Sequence, residues 1–267
     1  MNGKQKTMTI PVLKIDQLEK IFGDFTAVDT ISMKLATGEI YGFLGPNGAG
    51  KTTTIKMLAG ILQPTKGTIH ICGQDLRKHP LSCKNRTGYI PDRPYLYEKL
   101  TGYEYLSFIN SLYDVSGTAP LEEALHFLEL FDLIDWKDHL IEGYSHGMRQ
   151  KLIMTSIFML NQPLIIVDEP MVGLDPKSAR IVKEIFKNKA QSGHSVFLST
   201  HSMEIAEELC DRIGIIVRGS IIADGTMAQI RDRGTNNSHN LEDVFLELTG
   251  ASELHNIIQA LRTEKEK

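Results

Sequence analysis

The chain alternates short apolar runs with segments of helical periodicity, an arrangement typical of an α/β protein. Two segments with β-type alternation, Leu13 to Phe22 and Phe25 to Leu35, are separated by Gly23-Asp24, which predicts two strands joined by a tight turn. The run Ile40 to Leu44 is apolar throughout, and so is the later run Leu164 to Val167. Continuous apolar runs of this length indicate strands buried on both faces, as in a parallel sheet.

Helical spacing of apolar residues dominates the middle of the chain. It predicts helices between Tyr103 and Leu112, between Leu121 and Phe131, and over Leu152 to Leu160. The remaining patterns predict a strand Thr68 to Cys72, a strand Ser195 to Ser199, a helix Met203 to Leu209, a hairpin of Ile213 to Val217 with Ile221 to Ala223, and a last helix capped by Thr226. We therefore expect a small antiparallel sheet beside a mainly parallel core.

The composition is that of a globular chain. It has 267 residues, 42% of them hydrophobic, which is enough for one large domain or a domain with an added lobe. The formal net charge of -4 is not that of a bulk nucleic-acid binder, and we expect no nucleic-acid partner. No apolar run approaches the ~20 residues of a membrane span, and Met1 to Thr9 lacks a signal-peptide core. Three cysteines without a C-x-x-C pair predict a reducing, cytoplasmic environment.

The segment after the first apolar run fits the pattern G-x-x-x-x-G-K-[ST] without a mismatch. Apolar residues at helical spacing follow it, so strand, glycine loop and helix come in the order that the motif needs. Backbone N–H groups at such a helix N-terminus bind phosphates. An ordinary glycine turn is the alternative, but such a turn requires neither the lysine nor the hydroxyl. We predict that a nucleotide contacts Gly45, Pro46, Asn47, Gly48, Ala49, Gly50, Lys51, Thr52 and Thr53.

An acidic pair, Asp168-Glu169, ends the second apolar run. In the chemistry of the loop motif, Lys51 reaches the β- and γ-phosphates and the Thr52 hydroxyl completes a Mg2+ shell. Asp168 is then a candidate to hold Mg2+, and Glu169 a candidate general base for the attacking water. An exposed acidic pair capping a strand is the alternative. It is weakened because adjacent carboxylates beside phosphates need a metal to offset their repulsion, and the loop motif supplies one. The guanine-reading N-K-x-D is missing after Asn188-Lys189, which disfavours a GTPase.

Five ordered segments resemble those of ATP-binding-cassette (ABC) ATPases, and the resemblance covers about Leu13 to Ile230. The segments are Gly45 to Thr52, Tyr144 to Gln150, Leu164 to Glu169, Gly173-Leu174-Asp175 and Ser199-Thr200-His201. The form Tyr-Ser-x-Gly-Met-Arg-Gln of the second segment and the late Leu241 to Phe245 segment look most like the ATP-binding subunits of bacterial ABC-2-type exporters.

The resemblance implies an α/β fold: a P-loop NTPase (RecA-like) core with a mainly parallel sheet, a small antiparallel β subdomain and an α-helical subdomain. It places the ABC ATPase domain at residues 10–232, with a helical lobe at about 93–160 inserted in the core. Residues 233–267 form a C-terminal extension, whose role is left open.

The resemblance also implies roles for single residues around the nucleotide. Phe22 aligns with the aromatic that stacks on adenine. An ordinary core or sheet aromatic is the alternative, because Phe25 and Tyr41 are near. His201 resembles the switch histidine that contacts the γ-phosphate and orients the water of Glu169. Asp92 stands where the family has a glutamine that contacts Mg2+. The family's glutamine also signals to the membrane subunit. Aspartate brings extra charge and a shorter reach than glutamine, so whether Asp92 transmits this signal is open.

A second set of residues is implied to act across a dimer. Ser145, His146, Gly147 and Met148 form the signature segment, whose helix N-terminus would hold the γ-phosphate bound to the opposite subunit. His146 and Met148 replace the Gly and Gln of the common L-S-G-G-Q. Asp175 would lie at the subunit interface.

The resemblance implies a subunit that binds and hydrolyses ATP with Mg2+ and energises a membrane transporter through ATP-driven dimer closure. The transporter is expected to be an exporter, while the transported substrate and the direction are left open by the sequence. Its partners would be an integral membrane permease and a second ABC ATPase subunit, most simply a second copy. The permease would dock near Tyr95, Tyr97 and Leu100, and the subunit would be peripheral on the cytoplasmic face of the cell membrane. Two alternatives remain: a soluble ABC ATPase of translation or DNA maintenance, and a catalytically idle ABC scaffold.

Overall fold

The computed structural model describes residues 10–113, 119–233, 241 and 244–246. The strands are β1 Leu13–Phe22, β2 Phe25–Leu35, β3 Ile40–Leu44, β4 Lys66–Ile71, β5 Gln74–Asp75, β6 Thr87–Ile90, β7 Leu164–Asp168, β8 Ser195–Thr200, β9 Arg212–Val217 and β10 Ser220–Thr226. The helices are α1 Lys51–Leu58, α2 Pro80–Asn85, α3 Gly102–Leu112, α4 Ala119–Leu130, α5 His146–Phe158, α6 Pro176–Gln191, α7 Met203–Leu209 and α8 Met227–Arg231. Short 3-10 helices lie at Ile134–Trp136 and Ile141–Gly143.

Two sheets organise these elements. One has six strands in the order β10-β9-β3-β8-β7-β6, and all are parallel to their neighbours except β10, which is antiparallel to β9. The other has four antiparallel strands in the order β2-β1-β4-β5. The predicted fold class, a mainly parallel core with a small antiparallel β subdomain and helices, is confirmed.

The central strands of the large sheet separate two hydrophobic cores. Successive side chains of a strand point to opposite faces, so Ile40 and Leu44 of β3 pack on one side while Tyr41 and Phe43 pack on the other. Helices α3 to α7 pack on the first side, and we call the core there the lobe-side core. Helix α1 and the antiparallel sheet pack on the second side, and we call the core there the β-side core. Strands buried on both faces explain the continuous apolar runs in the sequence.

Several elements were not predicted from the sequence, and the longest is α6. It begins with Pro176 after the N-cap Asp175, and its buried residues include Val182, Ile185 and Phe186, at helical spacing. The others are β5, β6, α2 and the two 3-10 helices, which are two to six residues long. Strand β4 begins at Lys66, two residues before the predicted start.

The C-terminal segment is described only in part. Most of the predicted C-terminal extension, residues 233–267, lies outside the described residues. Leu241 and Val244 are buried in the lobe-side core, and the Leu241 N–H donates to Glu207 Oε1 at 3.2 Å. The division at 232/233 stays a prediction. No helix in the described ranges has the length and apolar character needed to cross a bilayer.

We expect Phe186→Ala to lower the free energy of unfolding by about 3–5 kcal/mol. The Phe186 side chain is fully buried and meets the Phe158 ring edge-on at 5.7 Å, so its removal leaves a cavity in the lobe-side core. Urea denaturation followed by circular dichroism measures the loss. Phe108→Ala is the control, because Phe108 is 41% exposed, and it should cost about 1 kcal/mol or less. Equal losses would contradict the assigned packing of α6.

Candidate functional site

The loop 45–50 joins β3 to α1, and its glycines are required by its backbone. Gly48 and Gly50 have φ of 79° and 107°, in the region that favours glycine. A Cβ on Gly50 would lie 2.5 Å from the Ala27 carbonyl oxygen, and a Cβ on Gly45 would lie 2.4 Å from the Ile216 carbonyl oxygen. The loop is therefore held between β2 and β9 at distances that only glycine allows.

Lys51 is the cation of this loop. Its side chain is buried, and Nζ donates to the carbonyl oxygens of Gly45 at 2.7 Å and Pro46 at 3.1 Å. Burial lowers the pKa of Lys51, while the nearby Glu169 and Asp168 carboxylates act to raise it. The ammonium group thus lies against the loop backbone, where it can meet an anion bound by the loop.

A cavity of about 390 Å³ opens beside the loop. It is lined by Phe25, Ala27, Asn47, Gly48, Gly50, Lys51, Thr52, Thr53, Asp92, Asp168 and Glu169. Nine of these residues belong to the predicted nucleotide, metal and catalytic sets, so the structure brings most of those sets to one place. A second cavity, of about 410 Å³, lies near the C-terminal end of α1 and includes none of the predicted site residues in its lining.

The acidic pair at the end of β7 is held by its neighbours in β8. Asp168 is buried, and its Oδ1 accepts from the Ser199 hydroxyl at 2.5 Å. The Glu169 N–H donates to the Ser199 carbonyl oxygen at 3.2 Å. Glu169 has φ of 50°, and such strain in a residue other than glycine costs about 1–3 kcal/mol and clusters at functional sites.

His201 lies beside the catalytic candidate. Its Nδ1 is 2.9 Å from Glu169 Oε1, and its side chain is 63% exposed. The distance allows a hydrogen bond from the Nδ1–H tautomer of His201 to the Glu169 carboxylate. Sequence reasoning assigned no role to Ser199, although its position two residues before His201 at the end of a strand was the available signal.

The residues around the cavity suit Mg2+ bound together with phosphate. Thr52, Asp92 and Asp168 offer a hydroxyl and carboxylates, the oxygen ligands that Mg2+ prefers. Within the described ranges, no three His, Cys, Asp or Glu side chains are grouped to hold a metal alone. Mg2+ usually takes one or two carboxylates plus substrate phosphates, and this arrangement matches that requirement.

Two phenylalanines lie at the tip of the β1–β2 hairpin. Phe22 and Phe25 face each other across the two strands and are 48% and 64% exposed. Phe25 lines the cavity, Phe22 is not part of its lining, and Lys20 Nζ lies 4.8 Å from the centre of the Phe22 ring. The predicted stacking role of Phe22 stays a prediction.

The signature segment begins α5. Ser145 is its N-cap and accepts from the Met148 N–H at 3.3 Å. A Cβ on Gly147 would lie 2.8 Å from the Gly173 carbonyl oxygen, so this segment packs closely against the segment before α6. Ser145 and His146 are exposed, and all four signature residues are described but none lines the cavity of the same chain.

Asp175 links the start of α6 to α5. It accepts from the Ser178 N–H at 2.9 Å and the Ser178 hydroxyl at 2.6 Å, and its Oδ2 lies 3.1 Å from Lys151 Nζ. These hydrogen bonds from Ser178, with a further contribution from Lys151, hold the pKa of the Asp175 carboxyl well below its usual range. Its predicted place at a subunit interface stays a prediction.

A phosphate loop, an acidic pair and a histidine at neighbouring strand ends define a nucleotide-binding protein of the P-loop class. The profile of the family described as ABC transporter matches residues 28–172, more than half of the chain. The chain belongs to the ABC transporter family, whose domain binds ATP, and the resemblance seen in the sequence is confirmed.

Several curated proteins are similar to the chain. The linearmycin resistance ATP-binding protein LnrL of Bacillus subtilis is 36% identical over 222 residues, which are 83% of this chain and 71% of LnrL. The daunorubicin/doxorubicin resistance ATP-binding protein DrrA of Streptomyces peucetius is 35% identical over 225 residues, 84% of this chain and 68% of DrrA. The probable multidrug ABC transporter ATP-binding protein YbhF of Escherichia coli is 34% identical, and the match spans 89% of this chain but only 41% of the length of YbhF.

Solved structures show the same architecture. An ATP-binding subunit of an ABC transporter superposes with a TM-score of 0.86 at 32% identity, covering 89% of this chain and 99% of that one. The cbiO1 protein of Clostridium perfringens, part of the ABC transporter complex cbiONQ, shares the fold with a TM-score of 0.70 at 22% identity, over 84% of this chain and 91% of that one.

We expect Phe22→Ala to weaken ATP binding by roughly ten- to a hundredfold, because aromatic stacking on a base contributes ~1–3 kcal/mol. Phe25→Ala should have a much smaller effect. Titration of both purified variants with a fluorescent ATP analogue measures the two dissociation constants. The reverse order would assign the adenine platform to Phe25, the residue that lines the cavity.

Proposed function

We propose that this chain binds and hydrolyses Mg-ATP and thereby energises a membrane exporter, as a peripheral subunit on the cytoplasmic face of the membrane. The observation that carries the proposal is the Glu169–His201 pair beside the Lys51 loop: Glu169 and Lys51 line the same cavity, and His201 Nδ1 lies 2.9 Å from Glu169 Oε1. The names of LnrL, DrrA and YbhF, two resistance proteins and a probable multidrug transporter subunit, support export.

The residues of the cavity divide the chemistry of hydrolysis among them. Loop N–H groups and Lys51 bind the phosphates, and Thr52 and Asp168 would hold Mg2+, which neutralises charge on the β- and γ-phosphates. Glu169 accepts the proton of the attacking water as general base. The Nδ1–H of His201 orients the Glu169 carboxylate through their 2.9 Å hydrogen bond.

The signature segment supports a dimer. Ser145 and His146 stand exposed at the N-terminus of the 13-residue helix α5, where N–H groups and the helix dipole favour an anion. Because the segment does not line its own cavity, its anion would be the γ-phosphate held by a second copy of the chain. ATP would then join two protomers, and hydrolysis would separate them.

A groove between the core and the helical lobe supports a docking site for a permease. Its volume is about 270 Å³, and its lining residues are Ala59, Ile61, Lys84, Thr87, Tyr89, Tyr105, Ile109, Tyr113, Ile153, Ser156 and Ile157. Ile61 in its lining is 62% exposed. The residues predicted for docking, Tyr95, Tyr97 and Leu100, do not line the groove; Tyr95 and Tyr97 are exposed, and Tyr97 contacts Phe108 of α3. Exposed apolar and aromatic side chains around one groove are typical of a protein interface.

We expect Glu169→Gln to bind ATP, to hydrolyse it at least ~100-fold more slowly and to accumulate as a dimer with Mg-ATP, because the amide removes the base but leaves the phosphate contacts. Phosphate release measures the rate, and size exclusion with light scattering measures the mass. Normal hydrolysis by Glu169→Gln would remove Glu169 from the mechanism.

The added change Ser145→Arg is the second arm of this experiment. A bulky side chain at the exposed N-cap should return Glu169→Gln to a monomer while ATP binding by each monomer is kept. A dimer that persists with Ser145→Arg would contradict the assignment of the signature segment to the dimer contact.

We expect Ile61→Asp to reduce, by at least about tenfold, the fraction of tagged chain that sediments with membranes of its source cells, because an unpaired charge in an apolar interface costs several kcal/mol. ATP hydrolysis by the purified variant should stay at the wild-type rate. Ile222→Asp is the matched control, since Ile222 is also exposed, at 38%, and is not among the groove residues. Equal membrane association of the two variants would place the docking surface elsewhere.

A further inference from the structure

The turn between β9 and β10 is bonded to the phosphate loop. The Gly219 N–H donates to the Ala49 carbonyl oxygen at 2.9 Å, and the Asp29 N–H donates to the Gly219 carbonyl oxygen at 2.8 Å. Gly219 is buried. A single residue of this turn therefore joins the loop to strand β2, although it is far from both in the sequence.

Strand β2 changes its pairing at the point where the turn meets it. The register runs from Leu18 opposite Ile31 to Lys20 opposite Val28, so β2 has one extra residue there and forms a β-bulge. Asp29 and Thr30 are the two bulged residues. The Asp29 N–H leaves the strand ladder and bonds Gly219 instead.

Two of the seven non-glycine residues with positive φ in the described ranges lie at this junction. Thr30 has φ of 52°, which is a true outlier for a β-branched residue, and Arg218 has φ of 48°. Gly219 follows with φ of 84°, so Arg218 and Gly219 have the pair of positive φ angles that a two-residue hairpin turn between β9 and β10 requires. Strained conformations persist only where the surrounding structure over-determines them, and they cluster at ligand-binding sites.

The loop and the turn also converge on one carbonyl group. A Cβ on Gly50 would lie 2.5 Å from the Ala27 carbonyl oxygen, and a Cβ on Gly219 would lie 3.1 Å from the same oxygen and 3.1 Å from the Asp29 nitrogen. Ala27 lines the nucleotide cavity. Loop, turn and bulge thus pack together without room for a side chain between them.

We propose that Gly219 is a positioning residue for the phosphates: the Arg218–Gly219 turn, supported by the β2 bulge, holds the phosphate loop in its binding shape. Gly219 acts through Ala49 and needs no contact with the nucleotide. The inference rests on the proposed binding of the phosphates by the loop, and it adds a residue outside both the loop and the matched segment 28–172.

The test compares Gly219→Ala with Gly193→Ala. Gly193 also has a positive φ, of 91°, but nothing lies within 4 Å of its Cβ position, so both changes strain the backbone while only Gly219→Ala crowds the junction. We expect Gly219→Ala to raise the KM for Mg-ATP by at least tenfold and to leave kcat within about threefold, because Glu169 and His201 follow strands β7 and β8, which the turn does not contact. Gly193→Ala should change the KM less than twofold.

Binding of Mg-tripolyphosphate, measured by calorimetry, distinguishes an effect on phosphate binding by the loop from an effect on adenine binding, because tripolyphosphate has no base. Gly219→Ala should weaken the binding of tripolyphosphate and of ATP by the same factor, because the loop binds the phosphates of both. A loss confined to ATP would overturn the proposal by assigning the effect to the adenine end of the site. Wild-type affinity in a folded Gly219→Ala protein would also overturn it.

Thr30→Pro provides a second lesion at the same junction. Proline excludes the positive φ of the bulge, and β2 is an edge strand, where proline is tolerated. We expect the same parallel loss of ATP and tripolyphosphate binding, with near wild-type far-UV circular dichroism. A folded Thr30→Pro protein with unchanged affinities would overturn the proposal. Failure of the wild-type chain to bind ATP would instead contradict the proposed function.

Discussion

The alignment of three neighbouring parallel strands, β3, β8 and β7, is the constraint on which the site depends. Their backbone hydrogen bonds pair Leu44 with Thr200 and Asp168 with Ser199. The phosphate loop, the histidine and the acidic pair therefore all follow the carboxyl ends of these strands, on the same side of the sheet. Strands in a sheet are about 4.8 Å apart, so the separation of the functional groups is set by the backbone before any side chain contributes. In open α/β sheets, ligands bind at the carboxyl ends of the strands for this reason.

The charge of the cavity is set by the ionisable side chains near those strand ends. Lys51 is one cation among three carboxylates, those of Asp92, Asp168 and Glu169. A triphosphate adds further negative charge, which the lysine alone does not balance, and a divalent cation with oxygen ligands supplies the difference. Burial, with the nearby Asp168 and Asp92, raises the pKa of Tyr89 to about 12.

Local patterns predicted the parts of the fold that local chemistry controls. Strands β3 and β7, which are buried on both faces, were predictable from their apolar runs. The phosphate loop was predictable from the spacing of its glycines, lysine and threonine. Strand β6 was not, because its four residues include Gly88 and are followed by Pro91, so its pairing with β7 rather than its own pattern makes it a strand. Helix α6 was predictable in principle, since Pro176 at its first turn and apolar residues at helical spacing were present.

The junction at Thr30 lay beyond any local pattern. A β-branched residue predicts extended backbone, and its positive φ arises only from the contact of the bulge with the turn at Gly219. Likewise, the choice between Phe22 and Phe25 as the aromatic nearest the nucleotide depends on how the hairpin tip sits over the loop. Both features are tertiary, so the sequence around them contains no signal for them.

The separation of the two cores by one sheet has an evolutionary consequence. In β8, Val196 and Leu198 face the lobe-side core while Phe197 faces the β-side core, and β3 and β7 divide in the same way. Substitutions on one face can accumulate as the lobe adapts to a new partner, while the opposite face retains the packing behind the phosphate loop. Alternate residues of the same strands can therefore vary independently, because those that pack against the lobe helices are separated by the sheet from those that pack behind the phosphate loop.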